Sequence, residues 1–134
     1  VDLGVRLNGV CSDLTRNIPP MRRDALYRKV YALVEEANRA AIAAARPGMT
    51  AKALDKVARD VIAKGGFGRC FGHSLGHGVG LEIHEAPTVS KRGTMTLRPG
   101  MVFTIEPGIY LEGRLGVRIE DLVLLTEDGC EVLS

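Results

Sequence analysis

The dipeptide Asn8-Gly9 restricts the fold of this chain more than any other feature of its sequence. It separates two short runs of alternating residues, and a type I′ hairpin turn needs the positive φ angles that Asn and Gly tolerate. The sequence therefore predicts a hairpin of strands 1–7 and 10–16, in which Asp2 faces Thr15. Because every second side chain of a strand shares a face, that face also carries Gly4 and Asp13.

Two carboxylates, those of Asp2 and Asp13, become diagonal neighbours on this face, and Gly4 is expected to leave open space beside Asp13. Like charges this close repel each other, and a bound cation is the usual compensation. A solvated hairpin face is the alternative, and these two residues alone favour it.

Composition excludes several classes of function. The chain has 134 residues, 46% of them hydrophobic and 25% charged, with a net charge of +2, which predicts one soluble globular domain. Its scattered basic residues argue against a nucleic-acid partner, and no apolar run approaches the ~20 residues that cross a membrane. Three cysteines without a CxxC pair (Cys11, Cys70 and Cys130) predict reduced thiols in the cytoplasm rather than disulfides or a thiolate zinc site.

Two amphipathic helices are predicted after the hairpin. Apolar residues recur at helical spacing over 21–46 and over 51–64, where Thr50 is the expected N-cap and Gly65 the stop. Gly-rich stretches then separate four short strands, near 79–84, 101–106, 116–125 and 130–133. This order predicts an α+β fold with both helices on one face of a largely antiparallel sheet.

All three histidines of the chain, His73, His77 and His84, lie in one Gly-rich segment of twelve residues. The alternating apolar residues of 79–83 predict a strand with His84 on its polar face. One continuous strand would place His77 and His84 on opposite faces, so a shared site requires a break of register at 78–80. Structural histidines are the alternative.

Further polar residues stand at the ends or in the middle of predicted strands. Glu106 ends a strand on the same face as Thr104, and taken alone it would be an exposed glutamate. Arg118 and Glu120 share a face of an apolar segment, where a charged pair is costly unless each charge is satisfied. The pair of Arg118 and Glu120 therefore favours a functional site.

Together these segments offer four carboxylates and one imidazole for a common site: Asp2, Asp13, His77, Glu106 and Glu120. Two divalent cations would balance the four negative charges. Oxygen ligands with one imidazole suit manganese, cobalt, iron or zinc. Two such ions about 3.5–4 Å apart activate water and polarise a carbonyl group, which is hydrolytic chemistry.

Five separated segments of the chain resemble one known family and together span nearly its whole length. They are Asp2-x-Gly4, Ser12-Asp13-Leu14-Thr15-Arg16, residues 72–87, the stretch from Leu97-Arg98-Pro99-Gly100-Met101 to Glu106-Pro107-Gly108-Ile109-Tyr110, and residues 116–121. They resemble metallopeptidases of the pita-bread fold, which are the methionine aminopeptidases, the Xaa-Pro aminopeptidases and the Xaa-Pro dipeptidases (prolidases). The resemblance implies a curved, largely antiparallel sheet with helices on its outer face, the creatinase/aminopeptidase fold.

The family pattern implies the metal ligands. Asp2 resembles the terminal ligand of one ion, and Asp13 and Glu120 resemble the carboxylates that bridge both ions. His77 and Glu106 resemble the ligands of the other ion.

The same pattern implies the catalytic and positioning residues. Glu106 resembles the general base, and His84 resembles the histidine that hydrogen-bonds the scissile region. His73 matches a histidine that lies near the substrate in the Xaa-Pro branch. Arg118 resembles the arginine that holds Asp2, with Thr15 beside them on the hairpin face.

Within the family, residues 13–16, 106–110 and 116–121 favour the Xaa-Pro branch, because methionine aminopeptidases usually lack the arginine before the final glutamate. The resemblance then implies hydrolysis of an N-terminal Xaa-Pro bond with two divalent ions, Mn²⁺ first and Co²⁺, Zn²⁺ or Fe²⁺ as alternatives. It also implies a cytoplasmic enzyme that acts on peptides with proline second, without nucleic-acid or membrane partners, and that forms a homodimer when full length.

The first residue is Val1, inside a predicted strand, and the catalytic domain of the family is longer than this chain. We therefore expect residues 1–134 to be the C-terminal portion of a metallopeptidase catalytic domain, a fragment that lacks its first part. Turnover by this portion alone is not expected.

Four alternatives differ in function. A methionine aminopeptidase would share the ligands but not the arginine. A non-catalytic binding module of the same fold would lack metal, and a creatinase-like enzyme would lack the five-ligand set. An α+β domain without a site would require five ordered motifs to coincide by chance.

Overall fold

The N-terminal hairpin has the register that the sequence predicts. A computed structural model describes residues 1–20 and 24–134. It begins with β1 (Asp2–Leu3), β2 (Arg6–Leu7), β3 (Val10–Cys11) and β4 (Leu14–Thr15). Asp2 faces Thr15 and Leu7 faces Val10, and the turn residues Asn8 and Gly9 have φ angles of 51° and 86°.

The hairpin is interrupted at Gly4, and the expectation of open space at this position is wrong. A Cβ atom on Gly4 would overlap the carbonyl oxygen of Ser12. Glycine here permits a close approach of the two backbones. Ser12 nevertheless keeps the register, since its N–H donates to Val5 O at 2.9 Å.

Two helices follow the hairpin. The first, α1 (Ala25–Ala44), begins after the N-cap Asp24, and its C-cap residue Ala45 is already extended. It is shorter than the predicted 21–46, because Pro47 disfavours a helical conformation just before it; residues 21–23 of that prediction lie outside the described residues. The second, α2 (Ala51–Lys64), has the predicted bounds, with Thr50 as N-cap and Gly65 as C-cap.

A short 3₁₀ turn, Gly68–Cys70, leads to seven strands: β5 (Gly76–Gly78), β6 (Glu85–Val89), β7 (Val102–Ile105), β8 (Gly108–Leu111), β9 (Leu115–Arg118), β10 (Asp121–Leu125) and β11 (Cys130–Val132). Five of them form a sheet in the order β11-β10-β7-β5-β6, and β8 pairs with β9. Every pairing is antiparallel, as predicted.

Two predicted strands differ from the structure. Residues 79–84 form a loop, because its backbone bonds elsewhere: Gly80 O accepts from Cys11 N at 2.8 Å, and Gly80 N donates to Glu82 O at 3.1 Å. The predicted strand 116–125 is divided into β9 and β10. Glu120 lies between them and forms an isolated bridge with Thr15.

The helices and the sheet share one hydrophobic core. Its fully buried side chains include Val30 and Val34 of α1, Leu54 and Ile62 of α2, and Phe103 of β7. Burial of such side chains is the main favourable contribution to folding. Among the described residues, neither helix is long and apolar enough to cross a membrane.

Candidate metal centre

Three acidic or imidazole side chains converge where the hairpin meets the sheet. The ligand atoms of Asp13, His77 and Glu120 all lie within 4.8 Å of one another. Asp13 comes from the hairpin, His77 from β5 and Glu120 from the connection between β9 and β10. Asp13 is 9% exposed and Glu120 is 2% exposed. Three distant segments of the chain thus bring possible ligands to one point.

Glu106 joins this group from the end of β7. Its Oε1 lies 3.3 Å from His77 Nε2, which in turn lies 3.6 Å from Asp13 Oδ2. The hydroxyl of Thr104 donates to Glu106 Oε1 at 3.1 Å and accepts from the His77 N–H at 3.1 Å. The Glu106 side chain is only 14% exposed, so the alternative of an exposed strand-end glutamate is wrong.

Arg118 connects Asp2 to the same group. Its guanidinium forms an ion pair with Asp2 and donates from Nε to Thr15 Oγ1 at 3.2 Å. The Thr15 hydroxyl donates a hydrogen bond to Glu120 Oε2 at 2.6 Å. Arg118 Nε also lies 4.0 Å from Glu106 Oε2. The guanidinium of Arg118 thus contacts Asp2 and approaches Glu106, and Thr15 links it to Glu120.

The clustered carboxylates would be stabilised by additional positive charge. Burial raises the pKa of Glu106 to about 7, with smaller raising contributions from Asp13 and Asp2 and opposing contributions from Thr104 and Arg118. Burial likewise raises the pKa of Glu120 to about 7, against the hydrogen bond from Thr15. Carboxylates that resist ionisation in a cluster are stabilised by a bound cation.

The imidazole of His77 is oriented as a metal ligand would be. Its Nδ1 lies 3.0 Å from Gly78 O, and because a carbonyl oxygen only accepts, Nδ1 carries the proton. Its Nε2 faces the oxygens of Asp13 and Glu106 at 3.6 and 3.3 Å. In the neutral ring, this nitrogen and those oxygens form a donor set that fits a divalent metal.

His84 reaches the site from the loop 79–84. The rings of His77 and His84 lie 4.1 Å apart between centroids. The pairing of β5 with β6 shifts register between His77 and Gly78, which is the break that the sequence required for a shared site. The predicted strand over 79–84 is wrong, and it is as a loop that this segment brings His84 beside His77.

His73 lies on the other side of the same cleft. Its Nδ1 donates to Ser74 O at 2.8 Å, and its Nε2 accepts from the Tyr110 hydroxyl at 3.0 Å. That hydroxyl accepts from Arg118 Nη1 at 3.2 Å. Burial lowers the pKa of His73, which favours the neutral ring that this hydrogen bonding requires.

Two adjoining cavities give access to these residues. One, of about 660 Å³, is lined by His73, Glu85, Thr88 and Tyr110 among others. The second, of about 530 Å³, contains the metal-ligand candidates. Both are lined by four of the same residues: His77, His84, Glu106 and Arg118. Such volumes suit small-molecule or peptide ligands.

Sequence reasoning did not single out three residues that support the site. Thr104 orients Glu106 and His77, and Tyr110 connects Arg118 with His73. Arg16 donates to Glu120 O at 2.5 Å and to Asp121 Oδ1 at 2.6 Å. The shared strand face of Thr104 and Glu106 was visible in the sequence, whereas the contacts of Tyr110 and Arg16 depend on the tertiary fold.

Comparison with known proteins finds close similarity to peptidases. The sequence pattern of "Metallopeptidase family M24" matches residues 1–127. The Xaa-Pro dipeptidase of Pyrococcus furiosus is 52% identical over 134 residues, which are 100% of this chain and 38% of that protein. The Xaa-Pro dipeptidase of Lactobacillus helveticus is 47% identical over 133 residues, 99% of this chain and 36% of that protein.

Solved structures show the same similarity. The prolidase from Pyrococcus furiosus superposes with a TM-score of 0.97 at 52% identity, over 98% of this chain and 39% of that one. The His350Ala variant of Escherichia coli aminopeptidase P has a TM-score of 0.88 at 27% identity, over 98% of this chain and 36% of that one. The chain thus has the fold of the matching part of prolidase and aminopeptidase P, and it spans less than two fifths of their length.

Proposed function

Because this chain belongs to metallopeptidase family M24, we propose that the whole protein hydrolyses the N-terminal Xaa-Pro bond of peptides. The observation that carries the proposal is the convergence of Asp13, His77 and Glu120 within 4.8 Å, with Glu106 at 3.3 Å from His77. Relatives at about half identity named Xaa-Pro dipeptidase support the substrate class.

The donor set supports two divalent ions as cofactors, with Mn²⁺ as the first candidate. The proposed ligands are Asp2, Asp13, His77, Glu106 and Glu120. When bound, the ions would activate water and polarise the substrate carbonyl. Arg118 and Thr15 hold Asp2 and Glu120 in place through their hydrogen bonds, and such contacts commonly affect metal affinity 10–100-fold.

Glu106 is the proposed general base. Its Oε1 is fixed by Thr104 at 3.1 Å, so the carboxylate faces the cleft in one orientation. In this role Glu106 accepts a proton from the attacking water and delivers it to the proline nitrogen as that nitrogen leaves.

The two cleft histidines have different proposed roles. His84 is exposed and lies against His77, where it can donate a hydrogen bond to the carbonyl oxygen on which negative charge develops. His73 is fixed by Ser74 and Tyr110 and lines the cleft along the substrate. It orients the peptide rather than transferring a proton.

Substitution of Glu106 tests the proposal. In the whole protein loaded with Mn²⁺, Glu106→Gln should lower kcat for Ala-Pro by at least about a thousandfold. Metal content, measured by mass spectrometry, should remain mostly unchanged. Glu112→Gln, which changes an exposed glutamate, serves as the matched control and should leave both quantities unaltered.

The same assay distinguishes the alternatives. Faster cleavage of Met-Ala than of Ala-Pro would identify a methionine aminopeptidase. Absence of bound metal together with absence of turnover would favour a binding module. Near-normal kcat in Glu106→Gln would contradict the role given to Glu106.

A further inference from the structure

A basic pocket adjoins the candidate active-site cleft. It has a volume of about 300 Å³ and shares His73 and Ser74 with the 660 Å³ cavity. Its remaining lining residues are Arg59, Gly72, Ser90, Lys91 and Arg92. None of these described residues is acidic, whereas the opposite end of the cleft holds the carboxylate cluster. The cleft therefore runs from an acidic end to a basic end.

Arg59 forms the fixed wall of this pocket. Both oxygens of Asp55 accept from it, at 2.7 and 2.8 Å, so its charge is compensated. It also donates to Phe71 O at 2.9 Å and to His73 O at 2.8 Å, and it stacks on the Phe71 ring at 4.0 Å. Arg59 thus holds the segment that carries His73 and has little capacity left for a ligand.

Lys91 and Arg92 supply the available charge. Both are exposed, and neither forms an ion pair within residues 1–20 and 24–134. Their turn is nevertheless fixed: Gly93 N donates to Ser90 O at 2.9 Å, and Lys52 N donates to Gly93 O at 2.9 Å. Two uncompensated cations are therefore presented on an anchored turn beside the cleft.

The distance from the reacting bond sets the length of a ligand that reaches these cations. On β6, Thr88 pairs with the metal-ligand candidate His77, and Lys91 follows three residues later, which is about 10 Å at roughly 3.3 Å each. In a dipeptide only one residue lies beyond the bond that is cut, and it adds about 3.5 Å. An anion at Lys91 and Arg92 must belong to a later residue.

We propose that this pocket is an anion subsite for the departing side of the peptide, with Lys91 and Arg92 as specificity-determining residues for substrates longer than dipeptides. The ligand is a carboxylate on the third residue or later, either the peptide's C-terminus or an acidic side chain. This inference rests on the proposed function, since it requires a peptide to lie in the cleft with its amine towards the acidic cluster.

Binding of a matched peptide pair tests the subsite. The whole protein with the Glu106→Gln substitution is titrated calorimetrically with Ala-Pro-Ala-Ala and with its C-terminal amide. A third peptide, Ala-Pro-Asp-Ala amide, separates an acidic side chain from a C-terminal carboxylate. The free acid should bind about fivefold more tightly than the amide, as expected for a solvent-exposed ionic contact, and added salt should reduce this ratio.

The double substitution Lys91→Gln/Arg92→Gln should bring the ratio to less than about twofold without changing the affinity for Ala-Pro. Lys64→Gln/Arg69→Gln removes the same charge from exposed positions that line neither cavity and should keep the ratio. An unchanged ratio in the first variant, or equal binding of acid and amide by the parent, would overturn the subsite.

Turnover of the unsubstituted protein separates this inference from the proposed function. If Ala-Pro is cleaved but the free acid binds no more tightly than the amide, the subsite is wrong and the activity stands. If the carboxylate preference depends on Lys91 and Arg92 but no peptide is cleaved, the subsite stands and the activity is wrong.

Discussion

Thr15 shows how one small side chain organises the charged centre. It accepts from Arg118 Nε and donates to Glu120 Oε2, and it is 5% exposed. A valine of similar shape could make neither bond. The Thr15 hydroxyl therefore links the Arg118 guanidinium to the Glu120 carboxylate. Arg118 in turn links them to Asp2 through an ion pair.

Thr15→Val should weaken metal binding about tenfold, because Glu120 loses the hydrogen bond that orients its carboxylate. Competition with a metal chelator in the whole protein measures the change. Thr94→Val, at an exposed position, is the control and should bind metal normally. Unchanged affinity in Thr15→Val would show that this hydrogen bond does not orient a ligand.

The raised pKa values of Glu106 and Glu120, about 7 for each, predict how the metal-free protein responds to pH. The folded state holds the protons more tightly than the unfolded state does, because the ordinary value is 4.5. This contribution to stability is therefore complete below about pH 4.5 and is lost as pH rises to about 7. Each carboxyl contributes on the order of 3 kcal/mol.

Urea unfolding of the metal-free whole protein between pH 5 and 8 measures this effect. Glu106→Gln/Glu120→Gln, which cannot ionise at these positions, is the reference. The stability of the parent should fall relative to this variant as pH rises. A parent that gains stability relative to it over this range would contradict the burial of ionisable carboxyls.

At the scale of elements, β5 owes its position to glycine. A Cβ on Gly76 would overlap the carbonyl of Thr104 on β7. The neighbouring residue His77 pairs its backbone N–H with the Thr104 hydroxyl. Close packing of these two strands is thus what places His77 beside Glu106.

Gly76→Ala should lower the free energy of unfolding by about 3 kcal/mol, since the strands must separate to admit the methyl group. Gly72→Ala is the control, because a Cβ there meets nothing within 4 Å, and it should change stability by less than about 0.5 kcal/mol. Denaturant titration provides both values. Equal effects of the two substitutions would contradict the strand packing described here.

Local signals predicted those elements whose determinants are local. The caps Thr50 and Gly65 define α2 to the residue, and Asn8-Gly9 sets the hairpin register. The alternation over 79–83 predicted a strand that does not form, because bonds to the distant hairpin occupy its backbone: Gly80 O accepts from Cys11 N, and Leu81 O accepts from Arg6 Nη2. Sequence periodicity does not encode such long-range partners.

The candidate ligands were predictable for a different reason. Glu120 within an apolar run and His77 between glycines are unusual in their local settings. The resemblance to a known family was needed to propose Asp2, Asp13 and Glu106. The residues that orient them were not predictable, because Tyr110 and Arg16 act through contacts with segments far along the chain. Chemical type identifies a ligand, whereas its support depends on the assembled fold.

At the scale of the whole molecule, the charged centre lies where the hairpin meets the sheet. Asp2 and Asp13 belong to the hairpin, His77 to β5, Glu106 to the end of β7 and Glu120 to the β9–β10 connection. A cation bound among them would link the hairpin to the sheet. Because ions bind the folded state more tightly than the unfolded chain, their binding free energy adds to its stability.

Removal of metal should therefore lower the Tm of the whole protein, and Mn²⁺ should restore it in a concentration-dependent manner. Differential scanning calorimetry with and without a chelator measures the shift. Asp13→Asn/Glu120→Gln should respond far less to Mn²⁺, since it removes two of the four negative charges among the proposed ligands. An equal Mn²⁺ response in this variant would place the ions elsewhere.

In the proposed site, five side chains from distant segments enclose two divalent ions. The most direct test is a crystal structure of the Mn²⁺-loaded whole protein, with anomalous diffraction used to locate manganese. Two anomalous peaks should appear, each contacted by oxygen or nitrogen atoms of Asp2, Asp13, His77, Glu106 and Glu120. Manganese bound only at other positions, with these five side chains free of metal, would contradict the account.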